Sequence, residues 1–311
     1  MGVPHIGTHK KEQLNMYMCE EIETIRSKQG FICDMDGVIY SGKNLINGAQ
    51  EFVQWLEKSR KRYLFLTNAS AYTPLGLKRR LAHLGLDIDE SKFYTSALAT
   101  AEFIHSQTPG CSAYVIGDSG LHHALNEKGI SMDDVNPDYV VVGETRDYNY
   151  DKISRAISFV ENGAKLIGAH PDMTSPSEDG LLPAARALVA PIELATGRKA
   201  YFVGKPNALM MRTGIGMLGV HSSEAAIIGD RMDTDIIAGI ETGITTILVL
   251  SGVTSREHIE EFPYRPKYIF DDVRDLTSQL TEERTSARHS LTTPIRVPQT
   301  LTHYQKARSI A

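Results

Sequence analysis

Phe31-Ile32-Cys33-Asp34-Met35-Asp36-Gly37 is the stretch whose reading decides the fold. A short apolar run stops at two carboxylates and a glycine, which predicts a buried strand reaching its C-terminal end. Tyr63-Leu64-Phe65-Leu66-Thr67-Asn68 repeats the pattern with a hydroxyl and an amide at the exit. Ala225-Ala226-Ile227-Ile228-Gly229-Asp230 repeats it with a carboxylate, and Thr246-Ile247-Leu248-Val249-Leu250 adds a further buried run. Continuous apolar runs, rather than alternating ones, predict a parallel sheet covered on both faces.

Helical patterns separate these strands. From Gly48 to Lys58, Phe52, Val53, Trp55 and Leu56 supply an apolar stripe. Pro74 predicts the start of a helix carrying Leu77, Leu81 and Leu84, with Gly85 as its stop. Pro206 precedes a helix bearing Leu209, Met210, Thr213 and Met217 and ending near Gly219. Met210, Met211 and Met217 read as core filler. Between residues 97 and 200 lie three more expected strands, Ala113 to Gly117, Tyr139 to Gly143 and Lys165 to Ala169. Leu121–Lys128, Lys152–Asn162 and Pro183–Ala195 are the helices between and after them, the last expected to kink or split at Pro191. This segment is long enough for a small α/β domain with its own core, inserted into the first. The expected organisation is an extension over 1–29, a discontinuous core over 30–96 and 201–280, an insertion over 97–200, and a tail over 281–311. From Arg284 onward the tail carries no acidic residue and no periodic apolar face. It reads as loosely attached or disordered.

Composition narrows the function. The 311 residues are 41% hydrophobic with a formal net charge of -5. That balance lacks the basic field a nucleic-acid polymer requires. No apolar run approaches the roughly 20 residues of a membrane span, and the N-terminus lacks the apolar core of a secretory leader. Cys19, Cys33 and Cys111 are odd in number and far apart, suggesting neither a disulfide framework nor a metal knuckle, so a cytoplasmic setting is expected.

The chemistry concentrates at the strand ends. Asp34 and Asp36 are close enough to repel unless a proton or a cation lies between them, and Mg²⁺ with its preference for oxygen ligands fits that need. Thr67 and Asn68 can donate to phosphate oxygens. Lys205, in Gly204-Lys205-Pro206, can neutralise a carboxylate and a transferred phosphate. Asp230 follows its strand directly and reads as the second direct metal ligand. If a helix begins soon after it, Asp235 lies about one turn beyond Arg231 and suits a water-mediated contact, leaving Asp233 or Arg231 to meet substrate. In an open α/β sheet such strand ends converge on one crevice. Phosphoryl transfer needs this kind of charge neutralisation and positioning.

In this order the motifs resemble the haloacid dehalogenase superfamily, and within it the NagD-like phosphatases with an inserted α/β cap. Asp34-Met35-Asp36-Gly37-Val38 is similar to the first family motif and Thr67-Asn68 to the second. Gly204-Lys205-Pro206 is similar to the third and Gly229-Asp230 through Asp235 to the fourth; Asn136–Thr145 and Ile247–Val253 also match the subgroup. The resemblance covers about residues 30 to 280. It implies an α/β, Rossmann-like parallel-sheet core with an inserted cap, and Mg-dependent hydrolysis of a small phosphomonoester. Asp34 would become phosphorylated, and Asp36 would protonate the leaving group and then assist water. Mg²⁺ would be held by Asp34, the Asp36 carbonyl and Asp230, with Thr67, Asn68 and Lys205 around the phosphate. His170-Pro171-Asp172 falls in the cap loop where such relatives commonly carry Asn-Pro-Asp, so His170 and Asp172 are candidate substrate contacts. The implied substrate is a nucleoside monophosphate or sugar phosphate. Phosphoglycolate, pyridoxal phosphate and a receiver-like phosphate-sensing protein are the alternatives. A homo-oligomer formed through the cap is compatible with each.

Overall fold

The computed structural model describes residues 20–177 and 180–281. The tail expected over 281–311 lies outside the described residues except for Thr281, as do the first 19 residues of the expected extension. Its remainder includes a helical stretch over 20–27 whose Ile25 is fully buried in the main core.

The strands in chain order are β1 (Gly30–Cys33), a two-residue hairpin of β2 (Tyr40–Ser41) and β3 (Asn44–Leu45), β4 (Arg62–Thr67), and β5 (Phe93–Thr95). There follow β6 (Ser112–Ile116), β7 (Ser131–Met132), β8 (Tyr139–Val142), β9 (Lys165–Gly168), and a hairpin of β10 (Thr174–Ser177) and β11 (Gly180–Pro183). The last are β12 (Tyr201–Phe202), β13 (Ala225–Gly229), β14 (Thr245–Val249) and β15 (Tyr268–Phe270). Six of them form one parallel sheet in the order β15-β14-β13-β1-β4-β5. Every residue of β1, β13 and β14 is buried, as the unbroken apolar runs predict.

A second parallel sheet, in the order β12-β9-β8-β6-β7, is built from the segment inserted after β5. Its three central strands are those expected from sequence. β12 was not expected there: Tyr201 and Phe202 belong to this sheet, pairing with Ile167 and Gly168 of β9, so the chain returns to the first sheet only after Phe202. A two-residue edge strand has too little periodicity to be read from sequence.

Helices cover both layers. Ala49–Lys58 buries Phe52, Val53, Trp55 and Leu56 on one face. Full burial of each such side chain stabilises by roughly 1.5–3 kcal/mol. Pro74–His83 starts with Pro74 in its first turn, and the Thr73 hydroxyl accepts from the Gly76 amide at 3.0 Å. The Ala185–Thr196 helix runs unsplit through Pro191. Its buried face of Leu188, Val189 and Ile192 outweighs the hydrogen bond that proline cannot donate. Met210 and Met211 are core residues, but Met217 is half exposed and fills no core. Between the layers, Ile32, Leu64 and Leu66 of the first sheet share one apolar cluster with Ala113, Leu121 and Tyr139 of the inserted segment. The two layers therefore lack wholly separate cores. No helix among the described residues is long and apolar enough to cross a membrane.

Strand order fixes where chemistry can occur. β1 and β4 run to one side of the sheet and β13 lies on the other side of β1. The switch point is thus between β1 and β13, whose carboxyl ends open into a crevice.

Candidate active site

Cys33 ends β1 and Asp34 follows; Gly229 ends β13 and Asp230 follows. The two carboxylates therefore meet at the switch point. Asp235 joins them, and the three residues each offer a carboxylate oxygen within 4.8 Å of the others. All three are buried, Asp235 completely. Lys205 points into the cluster, its Nζ lying 2.7 Å from Asp34 Oδ1 and 2.8 Å from Asp235 Oδ1.

One ammonium among three carboxylates leaves an excess of negative charge. Burial, then the Asp34 and Asp235 charges, push the Asp230 carboxyl well above the usual carboxylate range. Burial and Asp34 also raise Asp235, to about 6, against the opposing pull of Lys205. For Lys205, burial works against the cation, but Asp235 and Asp34 outweigh it and raise its pKa. Asp230 is held from one side only. Its Oδ2 accepts from the Val253 amide at 2.7 Å, whereas its buried Oδ1 has no partner. Gly37 makes room for it: a Cβ there would lie 2.4 Å from Asp230 Oδ2, and its φ of +75° is one that glycine adopts without strain.

Asp36 stands beside this cluster rather than in it. It is half-buried, and burial followed by the neighbouring Asp34 charge pushes its carboxyl up to about 6. Thr67, at the end of β4, uses its hydroxyl oxygen to accept from the Ala69 amide at 3.1 Å, which leaves its proton to donate elsewhere. Asn68 does something different. Its Oδ1 accepts from the Lys205 amide at 2.8 Å, and its Nδ2 donates to the Lys205 carbonyl and to Asp172 Oδ2, both at 3.1 Å.

With this geometry in place, comparison identifies the lineage. A family model described as "Haloacid dehalogenase-like hydrolase" matches residues 31–131, and a second HAD-like model matches 202–276. The chain is 43% identical over 246 residues to the dihydroxyacetone phosphatase of Corynebacterium glutamicum, covering 79% of this chain and 90% of that one. It is 43% identical over 245 residues to the ribonucleotide monophosphatase NagD of Escherichia coli K12, covering 79% and 96%. The solved structure of E. coli K-12 NagD matches with a TM-score of 0.76 at 42% identity, over 80% of this chain and 98% of that one. This chain belongs to the haloacid dehalogenase-like hydrolases.

As a haloacid dehalogenase-like hydrolase of the NagD type, it combines residues that the sequence had marked separately. Asp34, Asp230 and Lys205 converge. Asp235 touches Lys205 directly, and within the π-helical turn Met232–Ile236 its Oδ2 accepts from the Arg231 amide at 3.2 Å. Lys205-Pro206 forms a turn, and the following helix begins only at Ala208, capped by Asn207. Asp233 faces outward, where Arg231 holds both its oxygens at 3.1 and 2.9 Å. His170 is 1% exposed, and its ring nitrogens face Asp172 and Glu144. Glu144 had not been singled out. The pattern that marks it is the one that marked Asp34 and Asp230: a carboxylate just past a fully buried apolar strand, here β8.

Proposed function

We propose that this chain is a magnesium-dependent phosphatase that hydrolyses small phosphomonoesters through a phosphorylated Asp34. The observation that carries this reading is the Lys205 ammonium 2.7 Å from Asp34 Oδ1, beside an Asp230 oxygen that is buried and has no partner. The ammonium contact orients the Asp34 carboxylate. The unpaired oxygen, amid three carboxylates offset by one lysine, fits a hard divalent cation. Asp34, Asp230 and Asp235 side chains, with the Asp36 carbonyl, would hold Mg²⁺. When bound, the ion supplies positive charge that offsets the repulsion between carboxylate and phosphate.

The protein's own groups account for each bond. A carboxylate oxygen of Asp34 forms a bond to phosphorus as the ester P–O bond breaks, and Asp36 gives its proton to the departing alkoxide. Water then attacks phosphorus, its proton returns to Asp36, and the acyl-phosphate bond breaks to restore Asp34 and release inorganic phosphate. Asp36, pushed up to about 6, suits both halves, since a group near neutrality can give and take a proton. Thr67 has a hydroxyl proton free for a phosphate oxygen. Asn68 supports the site indirectly, by fixing the Lys205 backbone.

The relatives point to triose phosphates and ribonucleoside monophosphates as the first substrates to try. The test is phosphate release from a panel of these, sugar phosphates, phosphoglycolate and pyridoxal phosphate, with Mg²⁺ and with chelator. Turnover only with Mg²⁺, with a transient hydroxylamine-sensitive phosphoprotein, supports the reading. A stoichiometric phosphoprotein that never turns over overturns it.

A further inference from the structure

The molecule holds a second charged cluster, between cap and core, in which His170 is buried and its two acids are half-buried. Glu144 follows Gly143 past the end of β8, and His170 follows Ala169 past the end of the adjacent β9. His170 Nδ1 lies 3.2 Å from Asp172 Oδ2, and His170 Nε2 lies 3.8 Å from Glu144 Oε2. Both are ion-pair distances, though neither nitrogen is aligned for a hydrogen bond. A neutral imidazole carries one N–H and one lone pair, so it would turn a lone pair toward a carboxylate. A doubly protonated ring presents an N–H to each side. It also offsets charge that two half-buried carboxylates would otherwise leave uncompensated.

Those two carboxylates are also what the cap uses to grip the core. Glu144 Oε2 accepts from the Ser70 amide at 2.9 Å, and the Glu144 amide donates to Ser70 Oγ at 2.8 Å. Asp172 Oδ2 accepts from Asn68, which in turn brackets the Lys205 peptide. Ser175 of β10 adds a hydroxyl to Glu144 Oε1 at 3.1 Å. Gly204 lets the return loop approach: a Cβ there would lie 2.6 Å from both His170 Cβ and Asn68 Oδ1.

We infer that His170 is a positioning residue whose cationic ring clamps Glu144 and Asp172, and through them seats the cap on the Thr67–Ser70 loop and the Lys205 backbone. Burial disfavours the cation, but Asp172 and Glu144 outweigh it and hold the ring up at about 9. Arg231, from the loop after β13, is the other charged group acting on Asp172. The remaining contacts, Asn68, Ser70 and Ser175, do not titrate. The sign follows from the upward shift. The clamp is complete below the ordinary histidine value of about 6.5 and opens as pH rises through about 9.

The clamp rests on the phosphatase reading only in its kinetic arm, so the test has two. Histidine proton resonances of the full chain are followed against pH, with His170 assigned by its absence in His170→Gln. A midpoint near 9, falling toward 6.5 in Glu144→Gln, is expected; a wild-type midpoint at or below about 6.5 overturns the clamp. In turnover of a ribonucleoside monophosphate, His170→Gln is expected to raise KM roughly tenfold, with a smaller loss in kcat, and to abolish the alkaline limb, the rise in KM expected of the wild type as pH passes about 9. Unchanged KM and an unchanged alkaline limb overturn the positioning role. If no phosphomonoester is turned over, the phosphatase reading fails, while the resonance midpoint still decides the clamp.

Discussion

The switch-point cluster and the cap clamp both gather acids around one buried basic side chain, buried acids in the first and half-buried ones in the second, and the acids' pKa values move in opposite directions. At the switch point three carboxylates share Lys205, and burial and mutual repulsion push Asp230 and Asp235 up. At the clamp two carboxylates share His170, with Arg231 beside Asp172. Burial works there too, but the cationic ring outweighs it, lowering Glu144 and holding Asp172 down at about 2. The difference is charge balance. Three carboxylates to one cation dispose the switch point to take up a further cation, whereas two to one, less deeply buried, leave the clamp to hold structure. Chemistry and cap placement are thus divided between two clusters joined by Asn68, whose amide spans Asp172 and the Lys205 peptide.

The largest expected effect tests whether the unbalanced cluster is the reactive one. Asp34→Asn should lower turnover by roughly 10⁴-fold or more and abolish phosphoprotein formation, read by rapid quench of folded protein. Formation at the wild-type rate would remove Asp34 as nucleophile. Asp36→Asn comes next, with a loss of about 100- to 10,000-fold on alkyl phosphates. An activated aryl phosphate, whose leaving group needs less protonation, should suffer less in the same assay.

A third prediction sets the two clusters directly against each other. In chelator, Asp230→Asn should leave unfolding stability unchanged or raise it, because it relieves repulsion. It should also erase the rise in Tm expected for the wild type with Mg²⁺. Glu144→Gln should do the reverse, costing about 1–3 kcal/mol in urea unfolding while keeping the response to Mg²⁺. Equal destabilisation by both variants would end the distinction. The smallest effect concerns acid. Asp172 titrates at about 2 in the folded chain against an ordinary value of 3.8, so its contribution is full above 3.8 and lost as pH falls through about 2. Asp172→Asn should flatten that part of the urea-midpoint profile, and a wild-type slope in the variant would refute the pairing.

How much of this was legible in sequence depended on how local the cause is. Four buried strands and the groups at their exits could be read because an unbroken apolar run, and the polar residue that ends it, are properties of adjacent residues. Asp34, Thr67 and Asp230 stand at the exits of buried runs, which a parallel sheet gathers at one edge, whereas Lys205 reaches that edge from a turn. Glu144 followed the same rule and was passed over, since a single carboxylate after a strand shows no partner until the cap meets the core.

Tertiary structure alone decided the rest. Asp235 turns inward because a π-helical turn resets which residues face Lys205, a choice that helical periodicity cannot make. Asn68 serves the Lys205 peptide and the cap because both approach it from more than 100 positions away in sequence. His170 becomes a clamp because β8 and β9 deliver it and Glu144 side by side, and the return loop at Gly204 closes over it. Sequence fixes which groups stand at the strand ends. Whether a buried charge is balanced depends on distances and desolvation, and those arise only when two layers pack together.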